Sequence, residues 1–432
     1  MKTFTLTLLM TSTLSAATNL DQRLDAAAAS VESSVITCRR DIHQHPELGN
    51  RELRTSKLVA DKLKSLGIEV KTPIAHTGVV GVLKGGKPGR VVALRADMDA
   101  LPVVEQVDVP FKSTVKTTYN GQEVGVMHAC GHDAHVAILL GVAEVLAGVR
   151  DDVPGTVVFL FQPAEEGAPE GEEGGAALMV KEGALDSPKV DAVFGLHVTS
   201  RYPVGEIAYR AGAELAAVDS FKIVVHGKQT HGAYPWLGID PIVVASQIVL
   251  GLQTIPSRQL DASLAPSIVT VGAIHGGVRN NIIPDTVEMV GTIRSLDEKM
   301  RSDIHARIKR TAEDIAASGG AKADVTITTG YPVTYNDPAL TEMMVPTLRK
   351  LTTDVITVNP TLGAEDFSFY QQKVPGLFIW LGTRPKNQTA EEAASNHSPL
   401  FYVDESGLGL GVRALSHLAV DYLRDISRTR PQ

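Results

Sequence analysis

The chain has 432 residues, 44% of them hydrophobic and 21% charged, with 41 lysines and arginines against 49 aspartates and glutamates and a formal net charge of −8. That length exceeds what one hydrophobic core fills and points to two domains. The acidic balance excludes a general nucleic-acid or anionic-membrane binder, which needs basic surface, and leaves small molecules and peptides as partners.

Residues 1–17 read as a signal peptide: Lys2 is a short positive region, 4–14 is a modest apolar run, and Ser15-Ala16-Ala17 offers small residues for cleavage. The competing reading is an ordinary N-terminus, because threonines interrupt the run. Export would make the mature protein periplasmic or secreted. No other stretch reaches ~18 uninterrupted apolar residues, so no membrane span is expected. Residues 24–40 have helical spacing and lead into Arg40-Asp41-Ile42-His43-Gln44-His45-Pro46-Glu47-Leu48, where the proline breaks the helix. A second amphipathic helix is predicted over 51–66, stopped at Gly67. Short β signals at 79–83 and 91–94 flank a glycine- and proline-rich turn, and the second runs into Arg95-Ala96-Asp97-Met98-Asp99.

Next comes Met127-His128-Ala129-Cys130-Gly131-His132-Asp133-Ala134-His135, which gathers one thiol, three imidazoles and a carboxylate. The apolar run 136–146 predicts a buried helix whose N-terminus holds this motif. A strand at 156–161 ends in Gln162-Pro163-Ala164-Glu165-Glu166-Gly167, a helix follows at 176–182, and a strand at 192–196 ends in His197. Alternating strands and helices predict an α/β fold, a mostly parallel sheet covered on both faces. Sites in such sheets form beyond the carboxyl ends of the strands. Asp97, Glu165, Glu166 and His197 each follow a predicted strand, which makes them candidate neighbours of Cys130.

The texture changes near 219. Strand 221–226, helix 240–254, strands 267–273 and 286–293, helix 297–317 and strand 325–328 follow the β-α-β-β-α-β order of a ferredoxin-like sandwich inserted in the α/β chain. Beyond 331 the first texture returns, with a helix at 340–351, a strand at 376–382, the turn Asn396-His397-Ser398-Pro399 and a closing helix over 405–424. The expected domains are therefore 18–216 with 330–432, and an inserted domain at 217–329.

Thiolate and imidazole both suit zinc and other first-row divalent ions, so Cys130 and His132 are candidate ligands; the plainer reading is a buried cysteine and a helix-capping histidine. A lone His197 after a strand is often only hydrogen-bonded. Adjacent carboxylates at Glu165 and Glu166 face different directions, so one can bind metal while the other takes a proton from water whose pKa a Lewis acid brings toward ~7. The alternative is a solvated acidic loop, which Glu170, Glu172 and Glu173 resemble. His397 completes a possible set of five donors. Cys38 and Cys130 are the two cysteines. In an oxidising compartment they can pair, and that pairing excludes a metal role for Cys130.

The motifs Arg40 to Glu47, Arg95 to Asp99, His128 to Asp133, Gln162 to Glu166, Gly195-Leu196-His197-Val198 and Asn396 to Pro399 together resemble the M20 metallopeptidases, the aminoacylase/carboxypeptidase family of two-metal peptidases. More narrowly, they resemble its amidohydrolase subgroup of hippurate hydrolases, aminoacylase-like enzymes and plant auxin-conjugate hydrolases. The resemblance implies a zinc-peptidase-like three-layer α/β catalytic domain with an α+β ferredoxin-like lid that carries homodimer contacts. It implies two divalent ions per subunit (Mn²⁺, Zn²⁺, Co²⁺ or Ni²⁺) held by Cys130, His132, Glu166, His197 and His397, with Glu165 as general base. Cys130 then bridges the two ions where related enzymes use an acidic ligand, and no Cys38–Cys130 disulfide is expected. The resemblance also implies that His231 steadies the oxyanion at the partner subunit's site and that Asn281 and Arg294 meet the substrate's carbonyl or carboxylate. Asp97 and Asp99 are better read as groups that orient metal-bound imidazoles than as ligands. Trp236 stands where the family often has histidine; it can line a pocket or simply pack.

The function expected is metal-dependent hydrolysis of the amide bond of N-acyl amino acids. A carboxypeptidase or dipeptidase acting on short peptides is the alternative within enzymes. A non-catalytic metal- or peptide-binding protein is the alternative outside them.

Overall fold

The computed structural model describes residues 5–424, with side chains from Leu20 onward; the expected signal at 1–17 lies outside the residues whose side chains are described. The chain divides into two compact units. One comprises Met1–Gly212, Asn336–Val358 and Phe369–Gln432, the other Ala213–Tyr335 and Asn359–Ser368. The short segment 359–368, left with the catalytic part in the sequence reading, thus groups with the second unit.

The first unit is built on an eight-stranded mixed sheet, ordered Glu69–Ile74, Gly78–Lys84, Pro154–Gln162, Lys87–Asp97, Ala192–Pro203, Gly376–Arg384, Ile207–Tyr209 and Val355–Thr357. The third to sixth of these run parallel. Antiparallel pairs flank them on both sides. Residues 91–97 and 192–200 are buried without interruption. Successive strand residues point to opposite faces, so both faces of the central strands are covered. Helices Thr5–Gln44, His132–Gly148 and Leu408–Arg424 pack on one another, and the latter two lie on the central strands. His132–Gly148 is buried on nearly every side, from Val136 through Leu146, as its unbroken apolar run requires. Gly141 lets its neighbours approach: a Cβ there would stand 2.6 Å from Val35 and 3.1 Å from Val412.

Two differences from the sequence reading concern elements near the site. The strand Ala192–Pro203 does not end at His197 but continues past it, so His197 sits inside a strand, opposite Trp380 of Gly376–Arg384. Helix Thr5–Gln44 runs on to Gln44 and stops just before Pro46, bringing Arg39 and His43 into its last turns.

The second unit holds a four-stranded antiparallel sheet, ordered Ser267–Gly276, Thr286–Ser295, Ala217–His226 and Lys322–Thr329, with helices Pro241–Thr254 and Glu298–Ser318. Numbered along the chain the strands stand 2-3-1-4, the ferredoxin-like order. Each helix starts on an aspartate cap: Asp240 accepts from Ile242 and Val243, and Asp297 from Met300. Ile223, Val225, Ile248, Leu252, Ile304 and Ile308 form its core. Buried Asp219 is held by Arg301, His305 and the Gly330 amide. Among the described residues no helix is long and apolar enough to cross a membrane.

Candidate active site

The carboxyl ends of the central strands gather the candidate residues of the first unit. Gly131 makes the geometry possible. Its φ of 91° lies in the left-handed region, and a Cβ there would strike Val198 at 2.3 Å. The chain turns at this glycine so that Cys130 precedes helix His132–Gly148 and His132 opens it.

Around the Cys130 thiol the imidazoles converge. His197 Nε2 lies 3.4 Å from Sγ and His397 Nε2 lies 3.3 Å from it. These separations match the ~3.5 Å expected of two ligands sharing a tetrahedral ion. His397 Nε2 is also 2.9 Å from Glu166 Oε1. Two donor sets result, Cys130-His132-His197 and Cys130-Glu166-His397, and they share the thiol. Glu165 and Glu166 join His132 in a third grouping, with Glu165 Oε2 3.9 Å from His132 Nε2.

Two of these imidazoles, His132 and His197, are turned by a bond at the other nitrogen. His132 Nδ1 donates to the Asp99 carbonyl at 2.8 Å, with Asp99 Oδ1 at 3.3 Å, leaving Nε2 buried without a hydrogen-bond partner. His197 Nδ1 donates to the Val198 carbonyl at 2.7 Å. Asp99 also accepts the Glu166 amide through Oδ2 at 2.9 Å, so one carboxylate fixes an imidazole and the acidic loop together. Asp97 serves His135, accepting from Nδ1 at 2.5 Å, while His135 Nε2 accepts the Val198 amide at 2.9 Å. Fully buried Arg95 pairs with Asp97 and donates to Gln162. His128 joins no donor set. It is buried with neither nitrogen bonded, and burial pushes its pKa down to about 3.

The electrostatics favour a cation. Burial raises the Cys130 thiol and, with His135 beside it, holds His197 well below its ordinary value. Burial works against charge at His132 and Glu166 too, but the neighbours win. Asp97 and the bond to Asp99 hold His132 well above its usual value, and His397 draws Glu166 down. Bonds to Cys130 and Glu166 raise His397 to about 10. Cys130, His132 and His397 thus hold protons that divalent ions can displace, while Glu166 and His197 give theirs up readily. The orphaned His132 nitrogen and the mixed thiol, imidazole and carboxylate donors fit such ions. Cys38 and Cys130 are both free thiols. Burial pushes the Cys38 pKa up to about 11.

The sequence candidates in the second unit are arranged differently. His231 lies on the short strand Thr230–His231, paired with Ile282–Ile283, and the Gly232 amide donates to the Asn281 carbonyl at 2.8 Å. His231 and Asn281 are thus neighbours, both exposed. Arg294 is on Thr286–Ser295, part-buried, and burial lowers its pKa. Among the described residues no carboxylate pairs with it. Trp236 is 73% exposed and stacks edge-on against Tyr234.

Sequence reasoning passed over one group that the structure places at the thiol. Asn396 Nδ2 donates at 3.1 Å to the carbonyls of both Cys130 and Val198, and the His397 amide donates to Ala129 at 2.7 Å. The only signal was its place beside His397 in the same turn.

Comparison with known proteins agrees with this geometry. Residues 93–421 match Peptidase family M20/M25/M40. A relative described as thermostable carboxypeptidase 2, from Saccharolobus solfataricus, is 45% identical over 406 residues, 94% of this chain and 99% of the relative. IAA-amino acid hydrolase ILR1-like 2 from Arabidopsis thaliana is 40% identical over 397 residues, covering 90% of this chain and 85% of that one. Among solved structures, the Bacillus subtilis YXEP protein, described as a dinuclear metal binding peptidase from the M20 family, is 35% identical with a TM-score of 0.77, covering 92% of this chain and 100% of that one. The chain belongs to Peptidase family M20/M25/M40. It is a metal-dependent hydrolase of that family.

Proposed function

We propose that the protein hydrolyses the amide bond of N-acyl amino acids or closely related small conjugates. Cys130, His132 and His197 would hold one divalent ion and Cys130, Glu166 and His397 a second, with Mn²⁺, Zn²⁺, Co²⁺ and Ni²⁺ as the candidates. Such ions supply Lewis acidity that polarises a carbonyl and acidifies water. The observation that carries the reading is the pair of donor sets joined at one thiol, with a second carboxylate, Glu165, beside Glu166.

The chain's own residues then divide the work. Glu165, buried next to His132, takes the proton of the attacking water and returns it to the leaving nitrogen. Asp99 keeps the His132 ring and the Glu166 amide in register, and Asp97 steadies His135 against the Val198 amide. His231 donates to the developing oxyanion at the partner subunit's site, and Asn281 and Arg294 meet the substrate's carbonyl or carboxylate.

A second reading, a carboxypeptidase or dipeptidase acting on short peptides, is favoured by the 45% identity to a relative described as a carboxypeptidase. Assaying enzyme loaded with each metal on N-benzoyl- and N-acetyl-amino acids against dipeptides separates the two. In the same assay Glu165→Ala is expected to retain metal and lose about 10²–10⁴-fold in kcat. An active Glu165→Ala enzyme sinks the mechanism.

We further propose a homodimer through the second unit. The edge strand Ser267–Gly276 exposes Ile268 and Ile274, and helix Pro241–Thr254 exposes Ile242, Val243 and Leu250. An open edge with exposed apolar side chains is a surface suited to a partner. Sedimentation of the parent and of a Leu250→Glu, Ile274→Glu double variant tests it, the variant being expected to sediment as a monomer. Residues 1–17 support export to the periplasm or beyond, which cell fractionation and N-terminal sequencing of the mature protein would test.

A further inference from the structure

Among the fully buried carboxyl groups that the roles assigned above leave unused is that of Glu52. Glu52 has no solvent exposure and stands at the N-cap position of helix Leu53–Ser65, yet its side chain makes no bond to that helix. Glu47 caps the helix instead. Its Oε1 accepts the Arg54 amide at 2.8 Å, and its Oε2 accepts the Thr55 amide at 2.8 Å and the Thr55 hydroxyl at 2.9 Å. Glu52 is thereby free to point inward. Its Oε1 accepts the amide of Ala164 at 2.9 Å, and its Oε2 accepts the Thr77 hydroxyl.

Ala164 is the residue before Glu165, and its φ of 50° is left-handed, a conformation uncommon for a residue with a Cβ. The neighbours of Glu52 hold the rest of the same loop. A Cβ on Gly49 would come within 2.9 Å of the Gly167 carbonyl and 3.1 Å of Ala164 Cβ, so the two segments lie in direct contact. Asn50 Nδ2 donates to the Glu173 carbonyl at 3.0 Å, and Arg51 pairs with Glu172. The plain reading of Glu52 is a polar filler. An apolar side chain of similar size would fill the space without desolvating a carboxyl group. What the carboxyl group adds is the bond to the Ala164 amide.

We infer that Glu52 is a positioning residue for the general base: through the Ala164 amide it holds the left-handed turn that aims Glu165, from a seat formed by residues 49–52. This rests on the reading of Glu165 as base.

The test uses full-length, Mn²⁺-loaded protein and the variants Glu52→Ala, Glu52→Gln and Thr77→Val. It measures kcat and KM on an N-acyl amino acid, bound metal, and amide exchange in the peptide spanning 160–168. Glu52→Ala is expected to lower kcat about 10- to 100-fold while KM and metal content stay within about twofold, since misplacing a catalytic group by ~1 Å costs on that order. Exchange in the peptide is expected to quicken by about tenfold or more as the turn opens locally. Glu52→Gln keeps an oxygen for the Ala164 amide, so it should recover kcat to within about fivefold and exchange like the parent. Parental kcat and exchange in Glu52→Ala would overturn the inference. So would a fall that Glu52→Gln does not recover, or one matched by loss of metal. If Glu52→Ala does not fold, Thr77→Val decides: kcat about 3- to 10-fold lower with faster exchange supports the seat, and parental values overturn it. Exchange needs no turnover, so an active Glu165→Ala enzyme would overturn the base while the exchange result still judges the seat.

Discussion

Two groups of candidate residues in this molecule are held in place by different means. Cys130, His132 and His197 are buried, and each imidazole is turned by a short bond at its far nitrogen, to the Asp99 carbonyl or the Val198 carbonyl. His231, on a two-residue ribbon, and Asn281, just before its other strand, are by contrast exposed, and the His231 ring accepts the Ala233 amide at 3.0 Å. In the first unit the fold itself prepares the donors, so what remains to be supplied is the ion. In the second unit the backbone is placed but the side chain is left to whatever meets it.

The sharpest way to break this comparison is at its two centres. Cys130→Ala removes the donor common to both sets, and metal content by elemental analysis should fall together with turnover. Losing the Lewis acidity costs several kcal/mol of transition-state stabilisation, hence about 10³-fold or more in kcat. A variant that kept both metal and activity would remove the thiol from its shared place. His231→Ala should cost less, about 10²–10³-fold in kcat if it serves the oxyanion. Because His231 is exposed, its loss should leave folding stability within about 0.5 kcal/mol of the parent in a denaturant titration. Equal damage to stability and rate would mean that the ribbon needs the ring for its own fold.

Asp97→Asn tests the layer between these extremes. Asp97 binds no candidate ligand at hydrogen-bond distance. It accepts from His135 and pairs with Arg95, and His132 Nε2 is 3.8 Å away. Groups that orient a metal site from behind typically change affinity by about 10–100-fold when replaced. Competition of loaded Asp97→Asn protein with a chelator should show a loss in that range. Parental affinity would reduce Asp97 to a partner of Arg95.

The same contrast explains what was legible in the amino-acid sequence. The four central strands announce themselves because both faces are buried, so Val91 to Leu94 and Val157 to Phe161 read as unbroken apolar runs. The short outer strands Ile207–Tyr209 and Val355–Thr357 carry no such run and escape notice. Cys130, His132, Glu165, Glu166, His197 and His397 stand out because their chemistry is unusual in a core. Glu52 does not, since a glutamate within the helix predicted over 51–66 reads as an ordinary helix former. That Glu47 takes the capping role from five residues upstream, freeing Glu52 for Ala164, is a matter of three-dimensional reach. From the sequence His197 reads as following its strand because Val198 to Pro203 lacks an apolar run, although the backbone stays extended.

The smallest expected effect lies where polar contacts are half exposed. Asp25, on helix Thr5–Gln44, accepts from Arg413 at 2.8 Å and His417 at 3.0 Å on the closing helix, with its side chain 43% exposed. Burial works to raise its pKa, but the bonds from Arg413 and His417 outweigh that and set it below the usual carboxylate value. A depressed native pKa means the folded state binds this proton less readily than the unfolded chain. The contact therefore stabilises fully above the unfolded value near 3.9 and is lost as pH falls through the lower native one. Asp25→Asn should cost no more than about 1 kcal/mol at neutral pH, given its exposure. The difference in melting temperature from the parent should close below about pH 4 and shrink in 1 M salt, where the Debye length falls to about 3 Å. A gap that persisted in acid would mean that the carboxylate acts by packing rather than by charge, and Asp25 would then belong with the buried residues after all.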